Sequence, residues 1–243
     1  MNKVKFYCVT NEEISFLKKE EYKLAWVGKG DPPKNYLRCD KGNNIYFKEK
    51  FYSELTFHYW YWKNSLKKEN DEQWIGFCQK RRYWIKSNNE IKINKNNLNE
   101  NLLTSLDFKE DKFNSIICNP IFVSGVRKVK LLKRGWKNLI KNPQIFYKEN
   151  KQNLELHFDM HHGYGNLNKA INVLDNKDKE DFREYVKCNT KFNPHIMFIA
   201  KKKIVQNWFD SLFPWLERCE KIFGFNDLSG YDTTRLYAYL AER

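Results

Sequence analysis

Polar and apolar side chains alternate from Lys3 to Phe6 and then run apolar through Tyr7-Cys8-Val9, which predicts a strand over 3–10. Thr10 or Asn11 can cap a following helix, with Glu12 and Glu13 in its first turn. Leu24 to Val27 predicts a second strand, closed by the loop Gly28-Lys29-Gly30-Asp31-Pro32-Pro33. In Ser53 to Asn64, Leu55, Tyr59 and Trp62 fall at helical spacing and give one apolar face. The run Trp60-Tyr61-Trp62 covers most of that helix's circumference, so part of it must meet a second layer or line a pocket. Trp74 to Cys78 reads as a buried strand that leads straight into Gln79-Lys80-Arg81-Arg82.

The stretch 86–114 is polar and Asn-rich, and reads as an insertion. Further strands are expected over 115–123 and 195–200, and a helix over 165–174. A long amphipathic helix over 204–223 contains Pro214, which should kink or divide it. A last helix is expected over 231–242. Strands alternating with helices predict an α/β fold, a mostly parallel sheet flanked by helices, in one domain spanning 1–243.

Composition narrows the class. At 243 residues one large domain is favoured, and 16% aromatic residues argue against disorder. With a mean hydropathy of -0.80 and no long uncharged apolar run, no membrane-spanning helix is expected. The apolar run Phe6 to Val9 is too short for a secretory signal, so a cytoplasmic protein is expected. Six scattered cysteines without a C-x-x-C pair predict buried, reduced thiols. The net charge of +14 favours anionic partners, although Lys- and Asn-rich runs such as Asn94-Lys95-Asn96-Asn97 are also what an A/T-rich coding sequence yields.

Ligands of open α/β sheets bind outside the carboxyl ends of the strands. Two such ends carry polar chemistry: Thr10-Asn11, and Lys80-Arg81-Arg82, whose guanidinium forks match phosphate oxygens. The alternative for the latter is a solvated basic turn. Asp159, His161 and His162, with His157 nearby, form the one metal-like cluster, expected in a loop before a helix. It could hold a metal, supply a general base or hydrogen-bond a sugar. Lys128, Lys130, Lys133, Arg134 and Lys137 alternate with Val129, Leu131, Leu132 and Trp136, which suits either an interfacial segment on anionic lipid or an ordinary element packed on the sheet. No P-loop, nucleophile elbow or G-x-G-x-x-G is present.

Several segments, in order along nearly the whole chain, resemble the DUF4422 family of bacterial glycosyltransferases of capsule, O-antigen and exopolysaccharide clusters. They are Asn43-Asn44-Ile45, Ser53-Glu54-Leu55-Thr56 with Tyr59-Trp60 and Trp62-Lys63-Asn64, and Gly76-Phe77-Cys78 with Arg81-Arg82-Tyr83. His161-His162, Met197-Phe198-Ile199, Trp208 with Leu212-Phe213-Pro214, and Leu240-Ala241-Glu242-Arg243 follow. The resemblance implies a GT-A-like, Rossmann-type fold and transfer of a hexose, galactose or galactofuranose, from a UDP-sugar to a lipid-linked or oligosaccharide acceptor at the inner face of the cytoplasmic membrane.

On that reading Thr10, Asn11, Lys63, Asn64, Arg81 and Arg82 bind the donor, and Glu54, Trp62 and His195 line an acceptor pocket. Asp159, His161 and His162 are then the catalytic candidates. No cofactor follows from the sequence; a divalent metal, Mn²⁺ or Mg²⁺, stays open. Gln79 and Lys80 stand where the family usually has His and Tyr, and family chains normally continue past the final Glu-Arg, so a shortened C-terminus is expected. The departures leave an inactive scaffold of a polysaccharide assembly as the main alternative, with a nucleic-acid-binding protein behind it.

Overall fold

The structure is a computed structural model that describes residues 2–86, 92–107 and 113–243. Its strands are β1 (Asn2–Thr10), β2 (Tyr22–Trp26), β3 (Leu37–Arg38), β4 (Trp74–Gln79), β5 (Ser105–Leu106), β6 (Ser115–Ile117), β7 (Ile121–Phe122), β8 (Lys191–Phe192) and β9 (Phe198–Lys201). The helices are α1 (Glu49–Tyr52), α2 (Leu55–Asn64), α3 (Leu98–Asn101), α4 (Lys128–Arg134), α5 (Trp136–Lys141), α6 (Leu154–His162), α7 (Asn166–Asn172), α8 (Asn176–Cys188), α9 (Lys202–Phe223), α10 (Tyr231–Thr234) and α11 (Leu236–Ala241). The chain divides into two compact units, Met1–Ile117 with Ile196–Asp210, and Cys118–His195 with Ser211–Arg243.

The first unit is an α/β sheet of order β3-β2-β1-β4-β9-β6, with β5 added beside β1. β3, β2, β1 and β4 run parallel, while β5, β6 and β9 pair antiparallel. β1 is buried on both faces, as a central parallel strand must be. On one face Phe6 stacks on Tyr22 at 4.4 Å, and a Cβ on Gly76 would sit 2.4 Å from the Phe6 ring, so β4 needs glycine there. On the other, Tyr7 meets Phe57 and Tyr61 of α2 and Phe77 of β4.

α2 turns a different face inward than its aromatic spacing predicts. Leu55, Phe57, His58 and Tyr61 are buried, while Tyr59 and Trp62 are only half-buried. No helix follows β1. The Thr10 hydroxyl accepts the Glu12 N–H at 3.0 Å in a tight turn, and Ile14 N–H donates to the Tyr36 hydroxyl at 2.7 Å, so the segment is held as an extended return to β2. The polar stretch 86–114 lies partly outside the described residues; within it Leu98, Leu102 and Leu106 are buried, and β5 pairs with the start of β1.

In the second unit, α6 is a helix where a loop was expected. The Asn153 side chain caps it by accepting the Leu156 N–H at 2.9 Å, and Leu154, Leu156, Phe158 and Met160 are buried. Gly163, at φ 101°, ends it. Leu131, Ile145, Leu156 and Met160 form one core cluster. Trp215 Nε1 donates to the Ala170 carbonyl at 2.7 Å and so ties the later part of α9 to α7.

α9 runs through Pro214 as one helix. The missing N–H of Pro214 deprives the carbonyl four residues earlier, Asp210, of its helical donor, and the first unit ends at that residue. The expected helix over 231–242 is two short ones, α10 and α11. Four of the six free cysteines are buried as expected; Cys118 is half-buried and Cys188 exposed. Among the described residues no helix is long and apolar enough to cross a membrane.

Candidate functional site

Chain order alone locates a crevice in the first unit. From β1 the chain moves to β2 and β3 on one side, then returns to place β4 on the other. Between β1 and β4 the winding reverses, and their carboxyl ends diverge there. Thr10-Asn11 leaves β1 and Gln79-Lys80 leaves β4 at that point, with Val9 beside Gln79 in register.

The side chains there form one network. Lys80 Nζ donates to Asn11 Oδ1 at 2.6 Å and to Glu12 Oε1 at 2.5 Å. That ammonium holds the exposed Glu12 carboxyl below its ordinary pKa. Gln79 Nε2 donates to Glu54 Oε1, and Gln79 Oε1 accepts from Arg82 Nη1 at 3.2 Å. The backbone closes the same ring: Arg82 N–H donates to Gln79 O at 3.0 Å and Gln79 N–H to Arg82 O at 3.2 Å. Lys80 and Arg81 therefore sit at the tip of a tight turn, and both Arg81 and Arg82 are exposed. Gly28 completes the wall. A Cβ there would lie 2.9 Å from Asn11 Cβ and 3.0 Å from Asn11 Cα, so only glycine lets the two loops approach this closely. Trp26 Nε1 and Ser53 Oγ, both buried, have no described hydrogen-bond partner.

Thr10, Asn11, Arg81, Arg82 and Glu54 are thus brought together. Lys63 and Asn64 are not. Glu54 fixes the start of α2 at the strand ends, and the helix rises about 1.5 Å per residue, which carries Lys63 and Asn64 about 14 Å along its axis. There Asn64 Nδ2 donates to the Asn43 and Trp60 carbonyls, both at 2.8 Å. The Lys63 ammonium lies 3.3 Å from the Trp62 ring centroid, and Trp62 Nε1 donates to Asp210 Oδ1 at 2.8 Å.

Asp159, His161, His162 and His195 belong to the second unit, and the structure separates the acid from the histidines. Asp159 lines a cleft of about 670 Å³ with Asn138, Lys141, Glu155, Tyr164 and Asn168. Its Oδ2 accepts from Asn138 Nδ2 at 2.7 Å and its Oδ1 from Gly165 N–H at 2.9 Å. Burial nevertheless raises its pKa.

None of the three histidines of α6 lines that cleft. His161 Nδ1 pairs with the His157 carbonyl at 2.8 Å. His162 Nδ1 pairs with the Asp232 carbonyl at 2.7 Å, and its ring stacks on Tyr239. Burial pushes His162 down to about 4 and His157 to about 3. His195 holds a left-handed backbone, φ 62°. Among the described residues no group of three or more His, Cys, Asp or Glu side chains is placed to hold a metal ion.

The sequence marks the strand ends, but it places Glu12 in the first turn of a helix and reads Lys80 as a ligand-facing cation beside Arg81 and Arg82, where the structure pairs the two with each other. The signal was an acid just past one strand end, Glu12, and a cation just past that of the neighbouring strand, Lys80.

A family model described as a domain of unknown function, DUF4422, matches residues 5–243. Among solved structures, the apo form of WbbM, a bifunctional glycosyltransferase, matches with a TM-score of 0.63 at 22% identity. The match covers 99% of this chain and 41% of that one, so the chain spans less than half the length of the structure it resembles. No curated protein matches.

Proposed function

We propose that this chain, which belongs to the DUF4422 family, is a GT-A-like glycosyltransferase that moves a hexosyl group from a UDP-sugar to a polysaccharide or lipid-linked acceptor. The observation that carries the reading is the network at the β1/β4 switch point, where two exposed guanidinium groups flank a crevice at the strand ends. The fold shared with a glycosyltransferase supports it.

In this reading Thr10 and Asn11 lie by the nucleoside, and Arg81 and Arg82 hold the diphosphate. When the bond from the anomeric carbon to the diphosphate oxygen breaks, UDP keeps the electron pair. The two cations stabilise the charge that develops on it. The acceptor oxygen forms the new glycosidic bond and gives up its proton. That proton needs a general base; within the second unit Asp159 has the chemistry of one, because burial makes its carboxyl more basic. His161 and His162, turned to backbone carbonyls, serve α6 structurally. Lys80, spent on Asn11 and Glu12, acts by positioning the loop after β1. The same two pairings favour the second reading, an inactive scaffold, if that loop is held too tightly for a donor to enter.

A thermal-shift comparison of UDP-sugars with adenine nucleotides tests the reading. A UDP-sugar at a hundredfold excess over its dissociation constant should add about 2.7 kcal/mol of apparent stability. Stabilisation of that size by ATP, with none by any UDP-sugar, would remove the donor assignment.

A further inference from the structure

The helical run α4–α5 buries one side and leaves the other uncovered. Leu131 lies in the core cluster with Ile145, Leu156 and Met160, and Val126 and Leu139 pack against it. The opposite side carries Val129, Leu132, Trp136 and Ile140, which are 64%, 56%, 51% and 72% exposed. Their spacing, in steps of three, four and four, keeps them on one side of a helix. The break at Gly135 does not interrupt the run. Gly135 N–H donates to the Leu131 carbonyl at 2.8 Å, and Leu139 N–H to the Gly135 carbonyl at 2.9 Å.

Around this stripe stand Arg127, Lys128, Lys130, Lys133, Arg134, Lys137 and Lys141, all exposed. From Val126 to Asn142 there is no acidic residue. Arg134 reaches Asp232 at 3.0 Å, and Lys137 and Lys141 lie over the Tyr164 ring, so part of this charge is already oriented by the fold. A solvated face has no reason to expose four large apolar side chains in register, and a purely ionic partner has no use for them. An anionic lipid surface uses both: the phosphates meet the cations while Trp136 and its aliphatic neighbours enter the boundary between headgroup and acyl chain.

We infer that the outer face of α4–α5 is a membrane-docking surface for anionic phospholipid. It holds the second unit on the bilayer without spanning it, and it is independent of which sugar or nucleotide the protein uses.

The test is cosedimentation of the whole chain with vesicles of equal parts phosphatidylcholine and phosphatidylglycerol. Binding is expected at about 0.05 M salt and should weaken at least roughly tenfold at about 0.5 M, where exposed charges are screened. Lys130→Glu with Lys133→Glu should abolish it. Trp136→Ser with Ile140→Ser should weaken it roughly tenfold while the charge is intact. All four positions are exposed, and unchanged melting of both variants controls for folding. Absence of binding at low salt overturns the inference. So does a polyuridylate affinity equal to that for vesicles combined with indifference to the serine pair, since the surface would then read charge alone.

Discussion

Lys80 spends its charge inside the protein, on Asn11 and Glu12, whereas Arg82 gives only one nitrogen to Gln79. The two cations that look equivalent in sequence therefore have different work, and Arg82 keeps donors for a ligand. Arg82→Ala should weaken UDP binding by about 1.5–3 kcal/mol, the worth of charge-assisted hydrogen bonds to phosphate, read by calorimetric titration. Unchanged affinity there and in Arg81→Ala would make the turn a solvated one. His58 poses the reverse case. Its ring lies among Phe77, Trp208 and Phe209, neither nitrogen has a described partner, and burial depresses it to about 3. An unmet buried donor costs about 1–3 kcal/mol, so His58→Phe should raise the melting temperature; a fall would show that the imidazole has a partner to serve. Thr10, Asn11 and Arg82 were legible because strand ends are marked by where an apolar run stops. His58 was not, because the densest aromatics, Tyr59 to Trp62, pull the apparent apolar face around the helix.

Helix α6 sorts its polar groups by direction. Asp159 lines the cleft, while His157 and His162 feel the charge of Arg243, whose guanidinium lies 4.0 Å from the Phe192 ring centroid, and His161 pairs with the His157 carbonyl. Burial first, and the Arg243 charge with it, keeps His157 and His162 neutral down to about 3 and about 4. The unfolded chain protonates them near pH 6.5, so between those values it binds more protons than the folded chain. Their contribution to stability is therefore complete above about pH 6.5 and is lost as pH falls toward 4. Each histidine should cost up to about 2 kcal/mol between pH 6.5 and 5, at about 1.4 kcal/mol per pH unit. Urea unfolding across that range should show the decline, and His157→Gln should flatten it; equal slopes would place the proton uptake elsewhere. Asp159, raised rather than lowered by burial, works in the opposite sense, the folded chain taking its proton first as pH falls. The sequence put these residues in a loop because Asp and His interrupt the apolar pattern. A nine-residue helix fixed by one Asn cap and by contacts far along the chain leaves little local periodicity to read.

At the scale of the whole molecule, the expected α/β class rests on the parallel order β3-β2-β1-β4, although α1 and α2 intervene only between β3 and β4 and the β1–β2 and β2–β3 connections are loops. The antiparallel border was not legible, since strands of two to four residues such as β5, β6 and β9 carry no period of their own and form because a neighbour's edge is there to pair with. The first unit is discontinuous: its chain leaves after Ile117 and returns at Ile196. A fragment ending at Ile117 should lack a cooperative melting transition, because β9 alone joins β6 to β4. A sharp transition in that fragment would show that the parallel strands suffice. The same thread sets a schedule on the ribosome. β4 emerges with one edge bare, and its partner β9 follows more than a hundred residues later, roughly ten seconds at common elongation rates. For that interval the nascent sheet offers a row of unpaired amides and carbonyls beside Ile75 and Phe77, so a chaperone that shields strand edges should govern the yield of this protein more than its final stability does.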